Sequence, residues 1–368
     1  MAPAGSTSSE RVGSRSFAGR CFVGPVFDYT WIGAGASLPV LALVLYGNRL
    51  PALAPLATSV GQLTDPALLP FVVLLLSSTH FAASTVRLYT KPGAFTALPF
   101  VTLVLPLVFL ALLTLCVFQS GLLGHSLQVL YLTWSPYHYA AQAYGLAVMY
   151  CVRSGCALGG RSKNLLRALA LAPFAYVFVH MRGIGLDWLL PPSWLALPPV
   201  HASLAGLADL LWIASLAGPL LLFGAFARRA TPMPAIAPLL LVVNALWWLA
   251  LPPLQAFVWA TFFHGIQYLA IVVIFHVRER TARGRSGQSW LASAALFYAA
   301  CLALGYALFS CLPQAYVFAG ASTTESVLLV TAAVNLHHFV VDGFIWKLGR
   351  RDTNRAVVEA GVALAPAA

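Results

Sequence analysis

Apolar runs of membrane length recur along this chain, and basic residues gather in every second gap between them. A run of about 20 apolar residues crosses a hydrocarbon layer about 30 Å thick as a helix. No other open structure can satisfy its backbone polar groups there. The runs fall at residues 30–47, 66–89, 94–118, 126–150, 164–180, 203–226, 234–251, 253–276, 290–312 and 326–347. With the N-terminus in the cytoplasm, all of the 21 Lys and Arg except Arg49 and Arg182 fall on the cytoplasmic side, as the positive-inside rule requires. Losing one run from the middle of the chain would scramble that alternation. The expected fold class is therefore all-α: a polytopic integral membrane helical bundle of about ten transmembrane helices, with both termini cytoplasmic.

Composition excludes the soluble alternative. Hydrophobic residues make up 60% and charged residues 8%, whereas soluble domains carry about 25% charged residues. The net charge of +11 is accounted for by topology and contact with anionic headgroups, so it calls for membrane lipids as partners and no nucleic acid. The Ser-, Gly- and Arg-rich start lacks the apolar core of a cleaved signal peptide. Residues 1–28 read as a disordered cytoplasmic tail, 29–348 as one transmembrane domain, and 349–368 as a cytoplasmic C-terminal tail. A bacterial-type inner membrane is the expected location. The six cysteines read mainly as small buried hydrophobes. There is no Walker-type loop, no GxGxxG after a strand, no nucleophile elbow and no HExxH.

The last run breaks the apolar pattern. It carries Asn335, His337, His338 and Asp342 where a membrane helix should carry apolar side chains. Ionisable groups at that depth are costly and mark functional sites. His80, His138 and His264 lie in three further runs. All four runs cross in the same direction. Counted back from the first cytoplasmic cation, the histidines lie about 10 to 22 Å deep, in one slab. Each has a polar residue three or four positions away: Ser84 for His80, Gln142 for His138, Gln267 for His264, and Asn335 and Asp342 for His338. Those spacings share a helical face. The pattern fits a metal site, with His80, His138, His264, His337, His338 and Asp342 as ligands and Ser84, Gln142, Gln267 and Asn335 as orienting partners. His337 and His338 point about 100° apart, so both face one site only if it holds two ions. Aromatic residues flank these positions. Trp346, beside Lys347, reads as an interfacial belt residue.

Imidazole with carboxylate suits iron, copper or zinc, and ligands dispersed over several helices favour iron. The expectation is a membrane-embedded, His-ligated non-haem iron oxidoreductase holding one or two ions. It would carry out hydroxylation, desaturation or oxidative cleavage of a lipid-like or other apolar substrate. A haem-binding redox protein and a transporter or proton relay are the alternatives. In layout alone, the spread of histidines resembles the membrane carotene-cleaving dioxygenases, in which histidines on several helices hold iron. That family's motifs are missing, as are the HxxxH and HxxHH clusters of membrane fatty-acid desaturases, so no functional residue is carried over.

Overall fold

All regular structure is helical in the computed structural model, which describes residues 17–62, 68–282, 289–346 and 353–359. The long elements are α1, made of Pro25–Ile32 and Ser37–Tyr46 with a 49° bend between them; α2, residues 69–90; and α3, Phe100–Phe118. Then come α4, His125–Arg153; α5, Gly160–His180; α6, Pro198–Ala227; and α7, Ile236–Leu249. The last are α8, Pro253–Ala282; α9, Trp290–Phe318; α10, Thr323–Ile345; and a short α11, Thr353–Glu359.

Each apolar run of the sequence coincides with one of the first ten elements. Among the described residues, five helices are long and apolar enough to cross a membrane: α3, α6, most of α8, α9 and α10. The bent α1 makes a sixth if its halves count as one span. The others fall short for visible reasons. Helices α4 and α5 have the length but carry polar and charged residues, among them His138, Gln142 and Arg167. Helix α7 has 14 residues, about 21 Å.

The apolar helices differ in their place. Of the most apolar stretch, 61% is buried in both α8 and α10, against 33%, 22% and 17% in α3, α6 and α9. Helices α8 and α10 are therefore central, and α3, α6 and α9 face outward. Helix α10 packs against α2, α3 and α4, while α8 packs against α2, α7 and α9. Two glycines let the backbones close. A Cβ at Gly265 would stand 2.9 Å from His80 Nδ1 and 3.1 Å from the Leu76 carbonyl oxygen. One at Gly305 would stand 2.9 Å from the Ser78 carbonyl oxygen. Small residues at such crossings are how membrane helices approach closely.

The segment before α1 differs from the tail that composition suggests. Residues 17–28 pack onto one end of the bundle. Asp28 is fully buried. Its carboxylate accepts the Phe22 and Val23 backbone N–H groups at 2.5 and 2.9 Å and the Tyr150 hydroxyl at 2.7 Å. Arg153 donates to the Cys21 and Val358 carbonyls, both at 2.9 Å, and Arg278 donates to that of Phe22 at 2.5 Å. Helix α11 closes the same end. Asn354 donates to the Ile345 carbonyl at 2.7 Å, and Arg87 reaches Asn354 at 2.8 Å and Glu279 at 2.7 Å. Sequence reading gave Asp28 no role, because a lone carboxylate before a span looks like a solvated boundary residue. Residues 1–16, 349–352 and 360–368 of the two tails lie outside the described residues.

Candidate metal centre

Helix α2 places His80 through a local irregularity. Its first half contains a π-helical stretch, Val73–Ser78, just before the α-helical turn that carries His80. Such insertions rotate the following residues and recur at functional sites. Here the rotation turns His80, Ser84 and Arg87 inward, and all three are buried. In α4, Pro136 lies two residues before His138. It has no backbone N–H to give to the helix ladder there.

The four helices bring His80, His264, His138 and His338 into a closed ring of imidazoles. Neighbouring ring centroids lie 5.1 Å (His80–His264), 5.0 Å (His264–His138), 4.9 Å (His138–His338) and 5.3 Å (His338–His80) apart. Tyr139 stacks on His264 at 4.1 Å and Phe339 on His138 at 4.2 Å. These aromatic rings cover one face each of His264 and His138.

Two overlapping ligand groups result: His138 with His338 and Asp342, and His80 with His264 and His338. In the first, His338 Nε2 stands 3.2 Å from His138 Nε2 and 3.6 Å from Asp342 Oδ2, and His138 Nε2 stands 3.8 Å from Asp342 Oδ2. Ligands about 2.0–2.2 Å from one ion must lie roughly 3–4 Å from one another, so the triangle has the right size. The second group is looser, with its ligand atoms within 4.8 Å of one another. His80 and His264 are fully buried, yet neither nitrogen of either ring makes a hydrogen bond of acceptable geometry with the described residues. Buried polar atoms are rarely left so.

One tyrosine organises the remaining polar atoms. Tyr268 Oη donates to Asp342 Oδ1 at 2.7 Å, accepts from Trp346 Nε1 at 3.2 Å, and lies 3.1 Å from Ser84 Oγ. Ser84 Oγ is in turn hydrogen-bonded to His338 Nδ1. The proton count then fixes the directions. With Asp342 ionised, the single phenolic proton goes to the carboxylate, so Ser84 donates to Tyr268 and accepts from His338 Nδ1–H. His338 is thereby held as the tautomer whose Nε2 lone pair faces His138 and Asp342. Such an outer hydrogen bond sets the ring a metal ligand needs.

Sequence spacing placed these residues but mispaired several. His338 and Asp342 sit together as their spacing implies. Ser84, one turn from His80, reaches His338 instead. Gln142 donates to Gln267 Oε1 at 2.6 Å, and Gln267 donates to the Ile32 carbonyl at 2.7 Å, so these glutamines bridge α4, α8 and α1 rather than touching imidazoles. Asn335 bonds back to the Thr331 carbonyl at 2.7 Å. His337 is turned away from the ring, onto Phe109 of α3, at 5.4 Å between centroids. Trp346 turns into the bundle. It bonds Tyr268, and the Arg87 guanidinium lies 4.5 Å from its ring. Tyr268 had no role in the sequence reading beyond flanking the site. Its position one turn from His264 was the only signal.

A cavity of about 580 Å³ opens beside the centre. His138, Asp342 and Tyr268 form part of its wall, and most of the rest is apolar. The fold and centre together define an all-helical protein with several membrane-length apolar helices and a buried His/Asp group able to hold a metal. The chain matches no protein-family profile, no curated protein and no solved structure.

Proposed function

We propose that this protein is a membrane-embedded, non-haem iron oxidoreductase acting on an apolar, lipid-like substrate. The observation that carries the reading is the His138–His338–Asp342 triangle at the wall of the cavity. Two histidines and one carboxylate on one face of an ion, with the other face open, is the ligand set of oxygen-activating ferrous centres. In the reading, His138 Nε2, His338 Nε2 and Asp342 Oδ2 hold the ion, and His80 and His264 complete its surroundings or hold a second one. Bound iron would supply the activation of dioxygen. The protein's own residues orient the ligands through Ser84 and Tyr268, exclude water with Phe339 and Tyr139, and admit substrate through the cavity. The 3.2 Å between the His138 and His338 nitrogens favours ions over haem, because a macrocycle held between two imidazoles needs an iron–nitrogen bond on each side.

The same proposal includes ten membrane crossings in a bacterial-type inner membrane, with both termini cytoplasmic. It is supported by the coincidence of apolar runs with helices and by the alternation of basic clusters. Elemental analysis and an optical spectrum of the purified protein test the chemistry. About one or two iron ions per chain and no Soret band are expected. A Soret band, or protein free of metal after expression in iron-replete medium, overturns it.

A further inference from the structure

The cavity has direction. Along α4 its wall includes Trp134, His138, Gly145 and Met149, and beyond Met149 it reaches Lys163 in the first turn of α5. A second hollow of about 370 Å³ shares Trp134 and Tyr137 with it and continues along α4 to Leu130. From Leu130 to Met149 is about 28 Å of helix, close to the thickness of a hydrocarbon layer. The two hollows thus follow α4 one after the other, walled mainly by apolar side chains, with one cationic group, Lys163, on the wall of the larger. This main chamber has the volume of a small-ligand site, of order 300–1,000 Å³, rather than of a two-chain lipid. Among the described residues, the only other charged one on the chamber wall is Asp342, a member of the candidate metal-holding group.

We infer that the substrate is a single-chain amphipath with a carboxylate head, a long-chain fatty acid. Its head pairs with Lys163, and its chain runs along α4 past His138 and Asp342 towards Trp134 and Tyr137. The inference rests on the oxidoreductase reading for what happens to the chain, but not for the binding itself. His138 lies about 16 Å along α4 from Met149. The carbon beside the metal is therefore in the middle of the chain, well away from the head. An ion pair at the mouth sets the register, and apolar burial holds the tail.

A long-chain fatty acid brominated at mid-chain quenches nearby tryptophan fluorescence. The contribution of the cavity is isolated as the difference between the wild type and the Trp134→Phe variant, both purified in neutral detergent. Saturable quenching by the acid is expected, together with at least several-fold weaker binding of the matched brominated alcohol. Lys163→Gln should weaken binding of the acid several-fold and leave the alcohol unchanged. Gly145 lines the chamber, and a Cβ there would meet nothing within 4 Å, so Gly145→Phe, whose ring enters that open space, should abolish quenching. Metal content, measured on every variant, serves as the check on folding and should not change. Equal binding of acid and alcohol, or a Lys163→Gln variant indistinguishable from wild type, overturns the inference and leaves the metal reading standing. Acid binding by a wild type that holds no metal sinks the metal reading alone.

Discussion

Replacing His264 by Phe should change the stability of this protein in opposite directions with and without metal. His264 is fully buried, and both of its ring nitrogens lack a partner among the described residues. Each unsatisfied buried group costs about 1–3 kcal/mol. Phe removes both and keeps the stacking contact with Tyr139, at 4.1 Å between centroids. It is slightly larger, and overpacking costs about 1–3 kcal/mol. In metal-free protein, therefore, His264→Phe should stabilise by about 1–3 kcal/mol. With metal the balance inverts. A ligand at about a thousand times its dissociation constant stabilises the folded state by about 4 kcal/mol, and the variant loses part of that. Thermal unfolding in detergent, followed by tryptophan fluorescence with iron and with chelator, reads both signs. For a chain of this length roughly 1–2 °C per kcal/mol is expected. If chelator leaves the wild type unmoved and the variant melts higher under both conditions, the orphaned nitrogens are a packing defect and the metal reasoning fails.

Other outcomes follow from the same geometry. Tyr268→Phe removes the donor to Asp342 Oδ1 and the acceptor of Ser84 and Trp346, so metal affinity should fall about 10–100-fold in chelator competition; unchanged affinity would free Tyr268 of an orienting role. His338→Ala should empty the centre, whereas His337→Ala, which truncates a ring resting on Phe109, should keep full metal content. Elemental analysis of the two variants separates them, and metal loss in both would mean that His337 is a ligand. Burial, and secondarily the charge of Asp28, push the Cys21 thiol up to about 11. The thiolate is the reactive form, so alkylation of Cys21, followed by peptide mass spectrometry, should rise about tenfold per pH unit towards that value. A plateau reached near neutral pH would contradict the packing of the 17–24 segment against Asp28.

Much of the centre was legible because membrane sequences expose their exceptions. In an apolar run every polar residue stands out, so His80, His138, His264, His338 and Asp342 were visible one by one. The alternation of basic clusters then led to the expectation that their four helices run the same way at one depth. The pairing of His338 with Asp342 followed from helical spacing alone, since both atoms lie on one helix. Tyr268 was hidden for the opposite reason: tyrosine is common near membrane interfaces, and nothing local separates a hub from a belt residue. Asp28 was hidden because Tyr150, whose hydroxyl its carboxylate accepts, comes from another helix.

What the sequence determined by itself was the helical class, the membrane-length apolar segments and the set of residues too polar to face lipid. Those are local properties, governed by backbone hydrogen bonding and by transfer from water. What only the tertiary structure decided was who meets whom. Helical spacing assigned Ser84 to His80 and the two glutamines to their own histidines. The packed helices instead gave Ser84 to His338 and bonded the glutamines to each other. It also turned His337 onto Phe109 while His338 entered the ring, a choice made by the roughly 100° between successive residues. The approach permitted by Gly265 and Gly305 and the π-helical stretch before His80 set the faces that helices present to one another. Those depend on the partner helix as much as on the segment itself, which is why no reading of one segment could supply them.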